Sequence, residues 1–429
     1  MKGQISFYTL GCRVNQYETS VFSVKLSEEG YAVVPFGEEC DITVINTCTV
    51  TSESDRKSRQ FIRRAAKKSR IGVIVTGCFA EISQEDASDI EGVLAAIGNK
   101  NKSDVIECIK YYMNEITYEP DYNCDSFEEC TGELTVPGRV RTFIKIEDGC
   151  ECKCAYCIIP KARGPIRSKS PDLILKEAAA LIRKGSPEII LTGIEISAYG
   201  SDFKKRGINY SLSDLIMELS DDTELKRLGL GSLDPTLMTD DFLEKISYSK
   251  QLLKHFHISL QSGCSSVLRR MRRKYNAEQA MAYIEKIRRY FPDAHISADI
   301  IVGFPGETEE EFLETAEFCR KADFLNLHIF PYSVREGTEA ATMDGQVSED
   351  EKKRRVSELE SIHNHTKKEL MKKYCDRTEP VYVLFEQKKK GVLTGHSEHY
   401  VELKVNGPSD LVGKICKVLP HPDGTGTLI

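Results

Sequence analysis

The sequence predicts an α/β protein with an N-terminal parallel-sheet domain, a central partial (βα)6 barrel and a small C-terminal all-β domain. Three observations predict this. From Met1 to about Ile109, β-like runs alternate with helical ones; about six βα units follow up to His365; and the remaining β-like runs are separated by Gly, Asn and Asp turns. The predicted parts are residues 1–110, a linker at 111–138, the barrel at 139–367 and the C-terminal domain at 368–429.

The N-terminal alternation is typical of a parallel sheet covered by helices. We predict three strands and two helices there: Gln4–Leu10, Ile42–Asn46 and Gly72–Thr76, with helices near Thr19–Glu28 and Arg56–Lys68.

The central region repeats a strand followed by a helix, which favours a barrel over a sandwich. The linker before it holds Cys124 and Cys130 among acidic and turn residues. Predicted barrel strands are Thr142–Glu147, Glu188–Thr192, Leu228–Gly231, His255–Gln261, His295–Val302 and Phe324–Phe330; helices include Pro171–Arg183, Leu212–Leu219, Ala277–Tyr290 and Glu309–Lys321. Predicted C-terminal strands are Val381–Phe385, Gly391–Ser397, Tyr400–Val405 and Lys414–Leu419.

Composition narrows the class of protein. The chain has 429 residues, 40% hydrophobic and 29% charged, which is ordinary for a soluble protein and disfavours disordered and membrane classes. We expect no signal peptide and no membrane span. With a net charge of -7, any nucleic-acid contact must come from local basic patches. Fifteen unevenly spaced cysteines in a chain of this kind indicate metal or redox chemistry rather than disulfides.

Three cysteines each follow a β-like run directly: Cys12, Cys48 and Cys78. The carboxyl ends of parallel strands meet at one edge of a sheet, so we expect these thiols to gather there. Three thiolates without a fourth suit an iron–sulfur cluster with one open iron, whereas structural zinc normally takes four ligands. The alternative is three small buried residues at strand ends.

A second set of cysteines lies on one short loop. Cys150, Cys154 and Cys157 form C-x3-C-x2-C, and Cys152 is an additional cysteine. Three thiolates on one loop can hold three corners of a four-iron cluster and leave the fourth iron for a small chelating ligand. Zinc bound by all four cysteines is the alternative, although the spacing differs from paired C-x2-C knuckles.

Three basic stretches are candidate phosphate contacts. Residues 56–70 carry eight Lys or Arg and no acid. The alternative for each stretch is a solvated helix face. The other two stretches are Arg269, Arg270, Arg272, Arg273 and Lys274, and Lys161, Arg163, Arg167 and Lys169; in the C-terminal domain the candidates are Lys388, Lys389 and Lys390, with His396 and Tyr400 as stacking groups.

With both cysteine sets in view, the chain resembles the radical S-adenosylmethionine (SAM) methylthiotransferase family over nearly its whole length. Its motifs are most similar to the branch that acts on N6-threonylcarbamoyladenosine of tRNA. The stretches that carry the resemblance are Thr9-Leu-Gly-Cys-Arg-Val-Asn15, Asn46-Thr-Cys-Thr-Val-Thr51, Ala162-Arg-Gly-Pro-Ile-Arg-Ser168, Val267-Leu-Arg-Arg-Met-Arg-Arg-Lys274, Asp299-Ile-Ile-Val-Gly-Phe-Pro-Gly-Glu-Thr308 and Phe330-Pro-Tyr-Ser333.

The resemblance implies two [4Fe–4S] clusters and SAM. Cys150, Cys154 and Cys157 would hold the cluster that cleaves SAM to a 5′-deoxyadenosyl radical, and Cys12, Cys48 and Cys78 an auxiliary cluster that carries the transferred sulfur. Asp234 departs from the Glu usual at its position in the family. The residues that would bind SAM are Thr192, Gly193, Ser232, Asp234, Ser259, Gln261, Val302 and Gly303.

The resemblance also implies a partner and a setting. The expected product is the 2-methylthio derivative at position 37 of tRNA, and the C-terminal domain resembles the family's RNA-binding TRAM domain. We expect a cytoplasmic monomer without membrane contact that binds a tRNA anticodon stem-loop. A flavodoxin- or ferredoxin-type protein would donate electrons, and the resemblance does not specify the sulfur donor.

Three alternatives stay open on the sequence. The substrate could be N6-isopentenyladenosine of tRNA or an aspartate of a ribosomal protein. The chain could also be an RNA-binding protein that zinc or a cluster stabilises and that has no catalytic turnover.

Overall fold

Two units make up the computed structural model, which describes residues 2–116, 140–376 and 379–429. The first unit comprises Met1–Val136, Ile144–Ala180 and Ser333–Ala341, and the second comprises Pro137–Phe143, Leu181–Tyr332 and Thr342–Ile429. Both candidate cysteine sets therefore lie in the first unit, whereas the predicted SAM contacts and the C-terminal domain lie in the second.

A parallel five-stranded sheet of order β2-β1-β3-β4-β5 forms the base of the first unit. Successive residues of its strands point to opposite faces: Val44 packs with Ile74 on one face, and Ile45 packs with Val75 on the other. The elements are β1 (Gln4–Thr9), α1 (Arg13–Glu28), β2 (Ala32–Val34), β3 (Cys40–Thr47), α2 (Ser52–Ala66), β4 (Ser69–Gly77), α3 (Cys78–Ile82), α4 (Gln84–Ser88), β5 (Val93–Ile97) and α5 (Asp104–Tyr112).

Helix α5 extends into the predicted linker, and Cys124 and Cys130 lie outside the described residues. The chain continues through β6 (Arg141–Lys145), β7 (Glu147–Asp148), α6 (Ile159–Arg163), β8 (Arg167–Ser168) and α7 (Pro171–Arg183). Strands β7 and β8 pair antiparallel, so a two-residue ladder joins the chain before the second set of cysteines to the chain after it.

The strands of the predicted partial barrel form two sheets, β10-β9-β6 and β11-β12-β13-β14, and all of them except β6, whose residues divide between the two units, lie in the second unit. The strand predicted at Leu228–Gly231 ends at Leu230, and a further short strand that was not predicted begins at Ser232 in the other sheet. The elements are β9 (Glu188–Thr192), α8 (Ser201–Lys205), α9 (Leu212–Ser220), β10 (Leu228–Leu230), β11 (Ser232–Leu233), α10 (Asp240–Ser247), β12 (His255–Gln261), α11 (Ser265–Arg270), α12 (Ala277–Tyr290), β13 (His295–Val302), α13 (Glu309–Ala322) and β14 (Asn326–Pro331).

A long helix, α14 (Glu349–Cys375), was not predicted, and it runs through the predicted boundary at residues 367–368. Its buried apolar residues are sparse, Leu359 and Leu370 among them, so the apolar period of a surface helix is weak. Charge pairing supports it instead: Arg354 contacts Glu351 at 2.7 Å and Glu358 at 2.7 Å.

The C-terminal domain is an antiparallel sheet of order β17-β16-β15-β18-β19, which confirms the predicted all-β character. Inward residues such as Val383, Phe385, Leu393 and Leu403 form its core. Its strands are β15 (Val381–Lys389), β16 (Val392–Ser397), β17 (Glu402–Asn406), β18 (Ile415–Pro420) and β19 (Gly426–Leu428). Within the described residues, none of the helices is long and apolar enough to cross a membrane.

Gly395 should be indispensable to this sheet. It pairs with Phe385 where the β15–β16 ladder has an irregularity, and a Cβ there would collide with the Leu384 carbonyl oxygen. We expect Gly395→Ala to lower the free energy of unfolding by about 3 kcal/mol, because backbone would have to move. Urea unfolding followed by circular dichroism measures this.

The matched control is Gly413→Ala. Gly413 has a φ of +85° but open space around its Cβ position, so only backbone strain of about 1 kcal/mol is added. Equal stability of the two variants would contradict the steric argument.

Candidate active site

The first set of cysteines lies at the carboxyl edge of the five-stranded sheet. Cys12 is the N-cap of α1 just after β1, Cys48 follows β3 directly, and Cys78 begins α3 directly after β4. Strands β1, β3 and β4 are neighbours in the sheet. Cys48 and Cys78 are buried and Cys12 is exposed. The fold therefore brings together three cysteines that are 36 and 30 residues apart in the sequence.

Glycines before two of these cysteines permit the close approach of their turns. Gly11 has a φ of +91°, and a Cβ there would lie 2.7 Å from the Cβ of Cys48 and 2.9 Å from its Sγ. Gly77 has a φ of +97°, and its Cβ would collide with the Thr47 carbonyl oxygen. Both positions require glycine for backbone conformation and for space.

Asn15 ties two of the cysteine turns together. Its Nδ2 donates to the carbonyl oxygens of Leu10 at 2.8 Å and Thr47 at 2.9 Å. Its Oδ1 lies 3.8 Å from the Cys12 Sγ, which donates to it. The side chain is 1% exposed, so losing these bonds would leave buried carbonyl groups unpaired.

Asn99 performs a similar role at the third cysteine. Its Nδ2 lies 3.5 Å from the Cys78 Sγ and 2.6 Å from the Ala162 carbonyl oxygen. Sequence reasoning missed Asn99. The signal was available, because Asn99 follows β5 just as the cysteines follow their own strands.

The three thiols form one electrostatic group. Burial, with smaller contributions from the neighbouring Cys78 and Cys12, raises the pKa of Cys48 to about 11. Desolvation likewise raises the pKa of Cys12, because protein atoms surround its thiol although the residue keeps an exposed surface, and the charge of Arg163 opposes the shift. Three adjacent thiolates therefore need a bound cation, and their soft donor atoms fit an iron–sulfur cluster with one open iron.

A buried ion network adjoins these cysteines; its members are Glu18, Lys102, Lys145, Asp148 and Arg163. Glu18 accepts from Arg163 Nη1 at 2.6 Å and from Lys145 Nζ at 2.9 Å, and it also pairs with Lys102. Asp148 pairs with Lys145 at 2.7 Å and with Arg163 at 3.2 Å. Burial alone would raise the pKa of Glu18, but Arg163, Lys102 and Lys145 hold that pKa well below its ordinary value.

This network corrects part of the predicted basic patch at residues 161–169. Arg163 and Lys169 have fully buried side chains, and Lys169 pairs with Glu177, so neither can contact phosphate.

Residues 56–70, with eight Lys or Arg, were predicted as another basic patch. The exposed face of α2 does carry Arg56, Lys57, Arg63 and Arg64. The opposite face of α2 buries Ser58, Ile62 and Ala65.

The second set of cysteines lies on an irregular loop after β7. Gly149, with a φ of +93°, opens the loop, and a Cβ there would collide with the Pro165 carbonyl oxygen. The Cys150 N–H donates to the Gly164 carbonyl at 3.0 Å, and the Cys157 N–H donates to that of Cys154 at 3.1 Å. All four cysteines of the loop are half-buried. Because backbone hydrogen bonds hold this loop, three of its thiols can bind a cluster without a rearrangement of the sheet.

Residues 333–341 connect the two cysteine regions within the first unit. Arg335 donates to Asp55 at 2.7 Å and to Thr49, the residue after Cys48, at 2.5 Å. The Ala340 N–H donates to the Ala155 carbonyl, inside the second loop, at 2.8 Å. The sequence placed these residues in the barrel domain, but they group with the first unit.

The residues predicted to bind SAM lie at or near strand ends of the second unit. Asp234 accepts from Arg273 Nη2 at 2.7 Å and from the Thr236 N–H at 2.9 Å. The Gly303 N–H donates to Glu307. Their positions are Thr192 and Gly193 at the end of β9, Ser232 in β11, Asp234 after it, Ser259 and Gln261 in β12, and Val302 and Gly303 at the end of β13, with the Val302 side chain buried.

Two further sets of candidate RNA contacts include groups that already have partners in the second unit. In the patch at 269–274, Arg270 pairs with Glu311 at 2.6 Å and Arg273 with Asp234, whereas Arg269, Arg272 and Lys274 are exposed. Tyr400 was a candidate for stacking on RNA bases. Its ring instead stacks on His255, with centroids 4.2 Å apart, and on His396, at 4.7 Å.

Asp299 joins the neighbouring strands of the barrel. It contacts His257 Nε2 at 3.0 Å and His328 Nδ1 at 3.2 Å. Burial would raise its pKa, but the hydrogen bonds from His257 and His328 lower that pKa to about 2. The carboxylate is therefore ionised and paired at neutral pH.

Comparisons with known proteins agree with this architecture. The Radical SAM superfamily model matches residues 144–319, and the model of uncharacterized protein family UPF0004 matches residues 4–98. The threonylcarbamoyladenosine tRNA methylthiotransferase MtaB of Bacillus subtilis is 38% identical over 424 residues, which is 96% of this chain and 93% of that protein. This chain belongs to the radical SAM tRNA methylthiotransferase family.

The methylthiotransferase is also similar to a second tRNA-modifying enzyme and to a solved structure. The tRNA-2-methylthio-N(6)-dimethylallyladenosine synthase of Fusobacterium nucleatum is 35% identical over 432 residues, 99% of this chain and 98% of that protein. Among solved structures, the radical SAM methyltransferase TsrM from Kitasatospora setae superimposes with a TM-score of 0.58 at 13% identity, covering 80% of this chain and 77% of that one. That likeness concerns the fold alone. As a family member, the methylthiotransferase uses a [4Fe–4S] cluster and SAM.

The Asp299 contacts predict a pH dependence of stability. Because the pKa of Asp299 is depressed to about 2, its stabilisation is complete above about pH 4 and is lost as the pH falls from about 4 towards 2. We expect Asp299→Asn to cost about 2 kcal/mol at pH 5 and much less at pH 2, measured by urea unfolding at each pH.

Asp350→Asn is the control, because the Asp350 side chain is 97% exposed. An equal loss of stability for Asp299→Asn at both pH values would contradict the role of the carboxylate charge.

Proposed function

We propose that this enzyme methylthiolates C2 of N6-threonylcarbamoyladenosine at position 37 of tRNA, giving the 2-methylthio derivative. The 38% identity to the B. subtilis threonylcarbamoyladenosine enzyme over 96% of the chain carries the substrate assignment. The F. nucleatum dimethylallyladenosine enzyme is somewhat less similar, at 35% identity.

The two cysteine sets in the first unit support two cluster sites with different functions. Cys150, Cys154 and Cys157 would hold the [4Fe–4S] cluster that binds SAM, and Cys12, Cys48 and Cys78 an auxiliary [4Fe–4S] cluster. Bound clusters supply the electron that cleaves SAM and the open iron that carries sulfur. The protein contributes three thiolates to each cluster, turns shaped by Gly11, Gly77 and Gly149, and buried amides beside Cys12 and Cys78.

The barrel strands of the second unit supply the proposed SAM contacts. Thr192, Gly193, Ser232, Ser259, Gln261 and Val302 take this role in the proposal, and Gly303 would lie along the adenine. Asp234 would reach the ribose with its carboxylate already oriented by Arg273 and Thr236. Such preorganisation avoids reorganising the carboxylate when SAM binds.

RNA contacts are proposed for the exposed basic face of α2 and for the C-terminal domain. Lys388, Lys389 and Lys390 are exposed at the end of β15. Phosphate contacts of this kind position a tRNA without reading its bases. An anticodon-loop base is single-stranded and can be splayed into a pocket, which suits chemistry at one ring carbon.

The proposal includes a cellular setting. We propose a cytoplasmic, anaerobic monomer that receives electrons from a flavodoxin- or ferredoxin-type protein. Open-iron clusters are destroyed by oxygen, and thiol ligands must stay reduced.

Analysis of tRNA nucleosides tests the substrate. Deletion of the gene should remove 2-methylthio-N6-threonylcarbamoyladenosine from digested tRNA and leave unmethylthiolated N6-threonylcarbamoyladenosine, as measured by mass spectrometry. Loss of the isopentenyl methylthio product with the threonylcarbamoyl product intact would overturn the substrate assignment. No change in either nucleoside, with an aspartate of a ribosomal protein losing its methylthio group, would also overturn it.

Cysteine variants test whether the two proposed clusters have different functions. We expect Cys154→Ala to abolish reductive SAM cleavage while the auxiliary cluster still assembles, because only the loop loses a ligand. Cys48→Ala should keep SAM cleavage and lose methylthio product at least 100-fold. Iron content, 5′-deoxyadenosine and modified tRNA are measured after anaerobic reconstitution.

Cys40→Ala is the matched control, since Cys40 is a buried cysteine at the opposite end of β3 from Cys48. If Cys154→Ala and Cys48→Ala lose the same partial activities, the proposed division is wrong. A colourless zinc protein after reconstitution would indicate the non-catalytic alternative.

A further inference from the structure

The buried ion network carries more positive than negative charge. Lys102, Lys145 and Arg163 pair with Glu18, and Lys145 and Arg163 pair with Asp148, so three cations and two carboxylates make up the network. Each of the five side chains is at most 7% exposed. An uncompensated buried charge is costly, so an excess cation at this depth indicates a neighbouring anion.

The first cysteine set is the anionic neighbour. Arg163 Nη2 donates to Asn15 Oδ1 at 2.5 Å, and the same oxygen accepts from the Cys12 thiol. On the other side, Asn99 joins the Ala162 carbonyl, next to Arg163, to the Cys78 Sγ. Arg163 is thus one side chain away from the Cys12 thiol, and the residue before it, Ala162, is one side chain away from the Cys78 thiol. The charges of Cys78 and Cys12 are among the causes that raise the pKa of Arg163, and that of Cys78 acts on Lys102 too.

One donor of Arg163 is still unused. Among the residues that the structure describes, its buried Nε has no hydrogen-bond partner, although both terminal nitrogens are engaged. A buried guanidinium N–H normally finds an acceptor. A sulfide or thiolate of a bound cluster is an acceptor of suitable charge.

We propose that Arg163, with Lys102, is a positioning residue for the cluster on Cys12, Cys48 and Cys78, whose negative charge it compensates and whose reduction it favours. This inference rests on the proposed function. Three thiolates around a [4Fe–4S]2+ core leave one net negative charge, and one-electron reduction by the external electron donor raises that to two with no bond broken. A fixed buried cation stabilises the reduced form more than the oxidised form.

The test uses full-length protein carrying Cys150→Ala, Cys154→Ala and Cys157→Ala, so that only the auxiliary cluster remains. Its midpoint potential is measured by an anaerobic redox titration followed by electron paramagnetic resonance. We expect Arg163→Met to lower the equilibrium constant for reduction about tenfold, which for one electron is about 59 mV. Arg163→Lys, which keeps the charge, should retain most of the parent potential.

Lys169→Met is the matched control for burial. The Lys169 side chain is as buried as that of Arg163, but it pairs with Glu177 and Tyr17. It should shift the potential much less. Lys102→Met leaves Arg163 in place and should lower the potential in the same direction, so it tests the inference even if Arg163→Met fails to fold.

The outcomes separate this inference from the proposed function. If the triple-cysteine parent holds no cluster, the auxiliary cluster itself fails and with it the proposed function. If the parent holds a cluster and Lys102→Met or Arg163→Met leaves its potential unchanged, only the inference is overturned. A shift by Lys169→Met as large as that by Arg163→Met would likewise overturn it.

Discussion

The contact between Glu18 and Arg163 is the interaction on which the first unit depends. Glu18 belongs to the helix whose N-cap is Cys12, and Arg163 ends the helix that follows the Cys150 loop. Their 2.6 Å pair is inaccessible to water, and Asp148 and Lys145 extend it to the residues before Gly149. Breaking one partner would leave a buried charge uncompensated at a cost of about 3–5 kcal/mol. The two cysteine sets therefore share one rigid electrostatic support.

This arrangement could be predicted from the sequence only in part. Cys12, Cys48 and Cys78 were found because each ends an apolar strand, and parallel strands bring their carboxyl ends together whatever the distance along the chain. The strands Glu188–Thr192, His255–Gln261 and His295–Val302 were predicted with their observed limits, since their β-branched and apolar runs are bounded by polar turns.

What the sequence could not show are partners that depend on tertiary contact. Arg163 and Lys169 read as surface cations because Lys and Arg usually are, and only the fold reveals the acids at 2.6 Å and closer that allow their burial. Tyr400 read as a stacking group for RNA, but His255, 145 residues earlier in the chain, already covers it. Helix α14 was missed because charge pairs rather than an apolar stripe sustain it.

The basic residues of this chain fall into two groups, those that pair with acids inside the protein and those that are exposed to solvent. Four basic residues of these patches pair with acids of the protein: Arg163 with Glu18, Lys169 with Glu177, Arg270 with Glu311 and Arg273 with Asp234. The basic face of α2 is exposed, with Arg56 paired to Glu53 within the same helix, and the buried side of this helix packs on the cysteine-bearing sheet. Because buried cations interact strongly with a cluster and exposed ones with phosphate, position relative to solvent decides which task a Lys or Arg can serve. An acidic chain can in this way support both an anionic cluster and an anionic substrate.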